Sequence, residues 1–373
     1  MRNEKLHFAF FVTSHGFGHA TRACAVIEAM HESFPCRFSI FSSLPDWFWT
    51  NNLNNIHHEL YDAKTDVGLI QKDPFTHDLE KTLVHLLKFL SFDDENFHYC
   101  LAVLRAQKPV AIMCDISPLG LKIGDILEIP TILIENFTWD WIYEFYEKEL
   151  SQFSEVRKSL LTIFRSAELR IQAIPFCEKV TLAEVVDPIH RKLGSTKEEV
   201  RERLGIPEEH SMTLVTTGGI VEKYEFVKEL EQVKGQTFIL TGNYTSIQRS
   251  SNILELPIRN SFNFQDLVRS SDLVVGKVGY GTAVECWAGG TSLLPVYREH
   301  FRESAKMRAF VLENLSNREI SMNEFLSGNW IGKNLDFSPP LSEISLNNRK
   351  NGSLQVANLV ISFLHRQSSL PAS

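Results

Sequence analysis

Short runs of apolar residues alternate along the chain with longer segments in which apolar residues recur every three or four positions. The short runs predict buried strands, and the longer segments predict amphipathic helices. In the first half, the predicted strands lie at 6–13, 36–43, 56–63, 110–116, 131–137 and 169–175. Helices are predicted between the strands, for example at 21–32 and 79–90. This alternation indicates a parallel sheet with helices on both faces.

The same pattern begins again in the second half with a predicted helix over 196–205. Thr196 and Glu199 have the spacing of a capping box at its start, and Gly205 is a typical C-terminal residue. Further strands are predicted at 212–219, 236–242, 252–258, 272–277 and 291–297. An amphipathic helix is predicted at 353–366. We therefore expect an α/β fold made of two Rossmann-like domains.

The expected organisation is an N-terminal domain at 1–180, a C-terminal domain at 181–345, and a helix and tail at 346–373 that pack back on the N-terminal domain. A chain of 373 residues with 43% hydrophobic residues is long enough for two globular cores. The formal net charge of -8 argues against a nucleic-acid partner. No apolar run is long enough to predict an integral membrane segment. The oligomeric state stays open.

The six cysteines are scattered along the chain and form no C-x-x-C pair. This usage favours reduced, mostly buried thiols and therefore predicts a cytoplasmic protein.

A glycine-containing segment, H-G-F-G-H-A-T-R at 15–22, follows the first predicted strand. Gly16 and Gly18 allow close backbone approach, and the start of the next helix offers free N–H groups for an anion. Thr21 stands where the dinucleotide fingerprint has its third glycine, so the segment alone is a weak dinucleotide signal. The alternative is that the glycines only form a tight turn.

Two histidines of this segment, His15 and His19, are candidate general bases, because an imidazole at the end of a strand can accept a proton near neutral pH. The alternative is that both rings are simply solvated. Arg22 lies beside this turn, and its charge can neutralise a phosphate or belong to the surface.

A second glycine-rich turn connects a strand to a helix at 274–290 and contains Gly276, Gly279 and Gly281. Lys277 precedes this turn and is a candidate phosphate ligand or a surface charge. Thr282 can cap the helix or bind an anion, and Glu285, one turn further, can accept two ribose hydroxyls. A third turn, T-T-G-G at 216–219, has the same character. Three such turns suggest a phosphorylated ligand in a cleft between the two domains.

Acidic and aromatic clusters give weaker signals. The run Asp93-Asp94-Glu95 is interpreted as a solvated face, and no zinc-ligand spacing is present, so we expect no metal site. Trp139 can stack on a sugar ring and Asp140 can bind hydroxyls in an acceptor site, or both can belong to the core. Asp73 is a further polar candidate for the acceptor.

Four segments together resemble the glycosyltransferase-like region of L-arabinokinase and its bacterial relatives. They are H-G-F-G-H-A-T-R (15–22), D-V-G-L-I-Q-K-D (66–73), N-F-T-W-D-W-I-Y-E-F-Y (136–146) and G-K-V-G-Y-G-T (276–282). The segment G-Y-G-T-x-x-E at 279–285 is also similar to the donor-binding region of MurG-like and UDP-glycosyltransferase families. The resemblance covers about residues 5–365. It implies a GT-B fold, in which two Rossmann-like domains face each other across a cleft.

The resemblance also implies roles for individual residues. A nucleotide-sugar donor would lie mainly on the C-terminal domain, with Glu285 on the ribose, Gly281 and Thr282 on the diphosphate, and Glu303 on the sugar. The implied donor-binding set is Gly218, Gly219, Thr241, Gly242, Lys277, Gly279, Gly281, Thr282, Glu285 and Glu303. In the N-terminal domain, His19 would be the catalytic base and Asp115 would orient it, with His15 as the competing base. The acceptor candidates are Gly18, Asp73, Trp139 and Asp140.

The function implied is an inverting, metal-independent transfer of a sugar from a nucleoside-diphosphate sugar, expected to be a UDP-sugar, to a hydroxyl acceptor. The donor is a co-substrate, and no cofactor is expected. Two alternatives stay open: a nucleotide-sugar epimerase or hydrolase of the same fold, and a non-catalytic nucleotide-sugar-binding protein. The sugar-kinase domain of L-arabinokinase has no counterpart in this sequence, so the resemblance does not extend to phosphorylation of arabinose. The chain lacks the basic, apolar patch of MurG-like enzymes, which argues against a lipid-linked acceptor.

Overall fold

The computed structural model describes residues 5–71, 77–217, 224–242, 244–333, 336–339 and 346–368, without the side chains of residues 347 and 368. Three of the predicted site residues, Asp73, Gly218 and Gly219, lie outside the described residues. The chain divides into two compact units. The first comprises residues 1–15, 19–189 and 350–373, and the second comprises residues 16–18 and 190–349.

The first unit contains a parallel sheet of seven strands in the order β3-β2-β1-β4-β5-β6-β7. Its strands are β1 (Leu6–Val12), β2 (Cys36–Phe41), β3 (His58–Tyr61), β4 (Ala111–Asp115), β5 (Thr131–Glu135), β6 (Leu169–Ala173) and β7 (Glu184–Val186). The central strands are continuous apolar runs rather than alternating ones, because helices cover both faces of the sheet.

The helices associated with this sheet are α1 (Phe17–Ser33), α2 (Asp46–Asn52), α3 (Leu79–Phe89), α4 (Glu95–Gln107), α5 (Pro118–Leu127), α6 (Trp139–Glu144), α7 (Phe153–Arg165) and α14 (Gly352–Ser368). The C-terminal helix α14 packs against β6 and β7. Gln355 fixes this contact, since its amide donates to the Asp187 carboxylate over 2.7 Å.

The second unit contains a sheet of six strands in the order β10-β11-β9-β8-β12-β13, parallel except for β10. Its strands are β8 (Ser211–Thr216), β9 (Gln236–Gly242), β10 (Gln248–Ser250), β11 (Ile253–Pro257), β12 (Leu273–Lys277) and β13 (Ser292–Val296). Its helices are α8 (Lys197–Arg203), α9 (Val227–Glu231), α10 (Phe264–Ser270), α11 (Tyr280–Gly289), α12 (Glu303–Asn314) and α13 (Met322–Leu326), followed by a short 3-10 helix, Leu346–Asn348.

The predicted fold class is confirmed, because each unit is an α/β sheet of Rossmann-like topology. The predicted capping box is present at the start of α8, where the Thr196 hydroxyl accepts from the Glu199 amide. The short edge strands β7 and β10 were not predicted, since three residues are too few to show a pattern. Because β7 completes the first sheet, the first unit continues to Ile189 before the chain enters the second.

Within the described ranges, no helix has the length and apolar character that crossing a membrane requires.

Candidate functional site

The candidate site of the first unit lies at the carboxyl ends of β1 and β4. These strands are neighbours, with Val12 opposite Asp115, although β2 and β3 separate them in the sequence. The strand order therefore reverses between them, and ligands of open α/β sheets bind at such reversal points. Gly16 takes a φ of 90° in the connection that follows β1, and α1 begins at the next residue.

His19 and Asp115 form a hydrogen-bonded pair at this reversal point. The Nδ1 atom of His19 lies 2.8 Å from Oδ1 of Asp115. His19 is 8% exposed and Asp115 is completely buried. An ionised carboxylate only accepts hydrogen bonds, so Nδ1 is the donor in this contact, and in a neutral imidazole Nε2 is then the acceptor. Nη2 of Arg22 also lies 3.1 Å from this Nδ1. The pair therefore has the arrangement of a general base with an orienting carboxylate.

Arg22, one turn further along α1, also contacts Asp115. Its Nε donates to Oδ2 of Asp115 over 2.7 Å, and its Nη2 donates to Oδ1 over 2.7 Å. Its Nη1 donates to Oδ1 of Asn136 over 2.6 Å. The Arg22 side chain is buried, so of the two interpretations the surface charge is wrong. Its partners come from β4 and from the end of β5, which no local pattern around residue 22 reveals.

The charge of Arg22 keeps the Asp115 carboxylate ionised. Burial alone raises the pKa of Asp115. The Arg22 charge and the hydrogen bonds from Arg22 and His19 outweigh this effect, and the pKa is lowered overall. Asp115 is therefore a carboxylate at neutral pH, as an acceptor for the His19 N–H must be.

His15, the competing base candidate, has different surroundings. Its ring lies edge-on to the Trp139 indole, with the ring centres 5.2 Å apart. A side chain at Gly68 would collide with this imidazole, so any other residue there would require the ring to move.

Trp139 fills the core of the first unit. The ring is 1% exposed, and its Nε1 donates to Oδ2 of Asp66 over 2.6 Å. Burial raises the pKa of Asp66, although hydrogen bonds from Thr13 and Trp139 oppose this effect. Of the two interpretations that the sequence left open for Trp139, the structure favours the core.

The other acceptor candidates differ in exposure. Asp140 lies in the first turn of α6 and is mostly buried, and its Oδ1 has no hydrogen-bond partner among the described residues. Burial raises the pKa of Asp140. Gly18 is half-buried in the first turn of α1. The buried carboxylate of Glu135 accepts a hydrogen bond from Arg170 over 2.9 Å.

The candidate donor site of the second unit lies at the corresponding reversal point, between β8 and β12. Gly276 lies opposite Thr216 and has a φ of 144°. A side chain at Gly276 would overlap the Thr216 carbonyl, so only glycine lets the two strands approach here. Gly279 is the N-cap residue of α11, and Gly281 and Thr282 lie in its first turn. Thr282 therefore does not cap the helix, because Gly279 has that position.

Glu285 projects from α11 one turn beyond these residues and is 5% exposed. Arg191 donates to its Oε1 twice, from Nε over 2.9 Å and from Nη2 over 2.7 Å. Sequence reasoning missed Arg191, because it is 94 residues from Glu285 in a segment without regular structure.

The remaining donor candidates lie at element ends. Thr241 and Gly242 end β9, and the Thr241 hydroxyl donates to the Val215 carbonyl over 3.2 Å. Lys277 is the last residue of β12. Glu303 begins α12 and is buried.

The acidic run near residue 94 has a structural role, since the Asp94 carboxylate accepts from the Phe97 amide as the N-cap of α4. His98 contacts Asp93 over 3.0 Å. No cluster of three potential metal ligands occurs in the described part of the chain.

Comparison with known proteins extends these observations. No protein-family model matches the chain. L-arabinokinase of Arabidopsis thaliana is 24% identical over 343 residues, which is 88% of this chain and 32% of the relative. The chain thus spans about a third of the length of this curated relative, and the similarity is a distant homology.

Two solved structures share the architecture. CalG4, the calicheamicin glycosyltransferase, superposes with a TM-score of 0.63 at 12% identity and full coverage of both chains. UGT2 of Phytolacca americana, complexed with UDP-2fluoro-glucose and pterostilbene, superposes with a TM-score of 0.58 at 16% identity, covering 96% of this chain and 100% of its own. The chain therefore has the GT-B fold of these glycosyltransferases.

Proposed function

We propose that this chain transfers a sugar from a nucleoside-diphosphate sugar, with UDP as the nucleotide, to a hydroxyl acceptor. The transfer inverts the anomeric carbon and uses no metal ion. The observation that carries the proposal is the His19–Asp115 pair at the strand-order reversal of the first unit. The fold is shared with glycosyltransferases, one of which holds a UDP-sugar analogue and a phenolic compound.

In the proposed reaction His19 is the general base. Its Nε2 takes the proton of the acceptor hydroxyl as that oxygen attacks the anomeric carbon from the face opposite the nucleotide. The bond between the anomeric carbon and the diphosphate oxygen breaks, and the electron pair leaves with the nucleoside diphosphate. Asp115 fixes the His19 tautomer and stabilises the imidazolium that forms. The hydrogen bond between His19 and Asp115 supports His19 as the base.

The second unit is the proposed donor-binding unit. The amides of the first turn of α11 and the positive end of its dipole would stabilise the diphosphate as negative charge develops on it. Lys277 would add a positive charge next to this turn, and Glu285 would accept the ribose hydroxyls. Glu303 is proposed to contact the sugar. Gly18, in the first turn of α1, and Asp140, in the first turn of α6, are proposed acceptor contacts.

The proposal is tested by incubating the protein with UDP-glucose, UDP-galactose, UDP-xylose, UDP-arabinose and the GDP- and TDP-sugars, with and without a panel of phenolic and sugar acceptors in the presence of EDTA. Release of nucleoside diphosphate only when an acceptor is present supports transfer. Release without acceptor indicates a hydrolase, and a new sugar isomer indicates an epimerase. Binding without turnover of any donor indicates a binding protein.

A further inference from the structure

The geometry points to Arg191 as a positioning residue for donor recognition: it holds one oxygen of Glu285 so that the other oxygen faces the ribose hydroxyls. This inference rests on the proposed function and adds to it a residue that no sequence motif contains.

Two hydrogen bonds from Arg191 end on the same carboxylate oxygen. Its Nε and Nη2 donate to Oε1 of Glu285 over 2.9 Å and 2.7 Å. Oε2 of Glu285 accepts no hydrogen bond from the described residues. The two side chains are only 4% and 5% exposed, so the remaining acceptor capacity is concentrated on one oxygen at a fixed position.

Arg191 itself is fixed against the same helix. The Nδ1 atom of the neighbouring His190 lies 3.1 Å from the Arg191 carbonyl. The His190 ring in turn lies edge-on to the Trp287 indole of α11, with the ring centres 6.3 Å apart. The segment 190–191 therefore contacts α11 at both Glu285 and Trp287. A rigid guanidinium held in this way limits the rotation of the Glu285 carboxylate.

Such restriction has a direct consequence for binding. A carboxylate that is already oriented loses little freedom when a diol binds, and preorganisation of this kind increases affinity. Without Arg191, Glu285 would rotate, and its charge would lie largely buried without a partner. The effect should appear only with ligands that carry ribose hydroxyls.

A purely structural role predicts a different outcome. If Arg191 only ties the segment to α11, its removal lowers stability and weakens all nucleotides equally. The ratio of affinities for a ribose nucleotide and its dideoxy analogue separates the two roles, because the analogue keeps the base and the diphosphate.

The experiment measures Kd by calorimetry for UDP and for 2′,3′-dideoxyuridine diphosphate, in the wild type, Arg191→Met and Glu285→Ala. We expect the wild type to prefer UDP by about 10- to 100-fold, the range for hydrogen bonds to a charged group. In Arg191→Met, UDP should bind at most about threefold more tightly than the dideoxy analogue, and the affinity for the analogue should be nearly unchanged. Combining Arg191→Met with Glu285→Ala should add nothing to the loss caused by Glu285→Ala alone.

The matched control is Arg349→Met, because Arg349 also packs on α11, with its guanidinium carbon 5.2 Å from the centre of the Trp287 ring, whereas the hydrogen bonds that Glu285 accepts from described side chains come from Arg191. This variant should keep the wild-type preference. If Arg191→Met does not fold, Arg191→Lys takes its place: lysine keeps the charge but lacks the guanidinium fork, so the preference should still fall at least about threefold.

A variant at residue 191 that folds and keeps the full preference for UDP overturns the inference and leaves the proposed function intact. A wild type that binds neither nucleotide contradicts the proposed function, and the inference fails with it.

Discussion

Nδ1 of His19 and Oδ1 of Asp115 are 2.8 Å apart, although 96 residues separate them in the sequence. The pair forms because β1 and β4 are neighbours and end at the same edge of the sheet. α1 starts directly after Gly16 and turns His19 toward Asp115, while Arg22, one turn later, neutralises the buried carboxylate. In the proposed reaction, this arrangement leaves Nε2 of His19 as the proton acceptor.

Replacing His19 by Ala should lower kcat by about 10²- to 10⁴-fold, the usual contribution of a general base. Donor affinity should stay within about threefold of the wild type, since the donor is proposed to bind the second unit. Steady-state kinetics and calorimetry with the donor measure the two effects. His15→Ala is the matched control, because His15 is the other imidazole of the same segment, whereas Asp115 contacts His19. Loss of turnover in His15→Ala together with retention in His19→Ala would assign the base to His15.

Replacing Glu285 by Ala should weaken UDP binding by about 1–3 kcal/mol through lost hydrogen bonds to a charged acceptor, with a smaller effect on kcat. Calorimetry measures the binding free energy. Glu313→Ala, which removes an exposed carboxylate from α12, should leave binding unchanged. An unchanged Kd for Glu285→Ala would remove Glu285 from the donor site.

Replacing Asp115 by Asn should destabilise the first unit by about 3–5 kcal/mol, because the buried Arg22 guanidinium loses its charge partner. Urea denaturation at pH 7 measures the free energy of unfolding. Asp93→Asn is the control, since the Asp93 side chain is 81% exposed. Equal stability of Asp115→Asn and the wild type would contradict the assigned role of the Arg22–Asp115 pair.

Two buried carboxylates should affect stability with opposite dependence on pH. The pKa of Asp115 is lowered in the folded state, since the Arg22 charge and the hydrogen bonds outweigh the effect of burial. The stability it provides is therefore present above about pH 4, the ordinary range of an aspartate, and is lost as the pH falls through the lowered value. The pKa of Asp66 is raised by burial in the folded state. Its contribution to the free energy of unfolding therefore falls as the pH rises from about 4 through the raised value, because the unfolded chain ionises first.

The corresponding measurement is the free energy of unfolding between pH 3 and pH 7 for the wild type, Asp115→Asn and Asp66→Asn. The difference in free energy of unfolding between the wild type and Asp115→Asn should decrease toward low pH. Asp66→Asn, which keeps an oxygen to accept from Trp139, should become more stable relative to the wild type as the pH rises. Parallel pH curves for all three proteins would contradict both assignments.

The turns at the strand ends could be predicted from the sequence, because the need for glycine there is local. Gly16 has a positive φ, and Gly276 lets two strands approach closely. Sequence patterns predicted the fold class because apolar runs and amphipathic segments report burial directly. The helix predicted from residue 21 begins at Phe17, directly after the turn at Gly16, so His19 lies in the first turn of α1.

The partners of Arg22 and Arg191 could not be predicted from local sequence patterns. Arg22 meets a residue 93 positions away, and Arg191 meets one 94 positions away. A buried arginine and an exposed one have the same local sequence appearance, and only the strand order brings each to its carboxylate. Trp139 was equally ambiguous, because an indole that fills a core and an indole that stacks on a sugar need the same residue type.

The central claim is acceptor-dependent transfer by His19, and its most direct measurement follows UDP release and the anomeric configuration of the product by NMR, in EDTA, for the wild type and His19→Ala. We predict one UDP released per glycoside formed, a β-linked product from an α-linked donor, and turnover by His19→Ala that is lower by about 10²- to 10⁴-fold. UDP release without acceptor, an α-linked product, or undiminished turnover in His19→Ala would contradict the account.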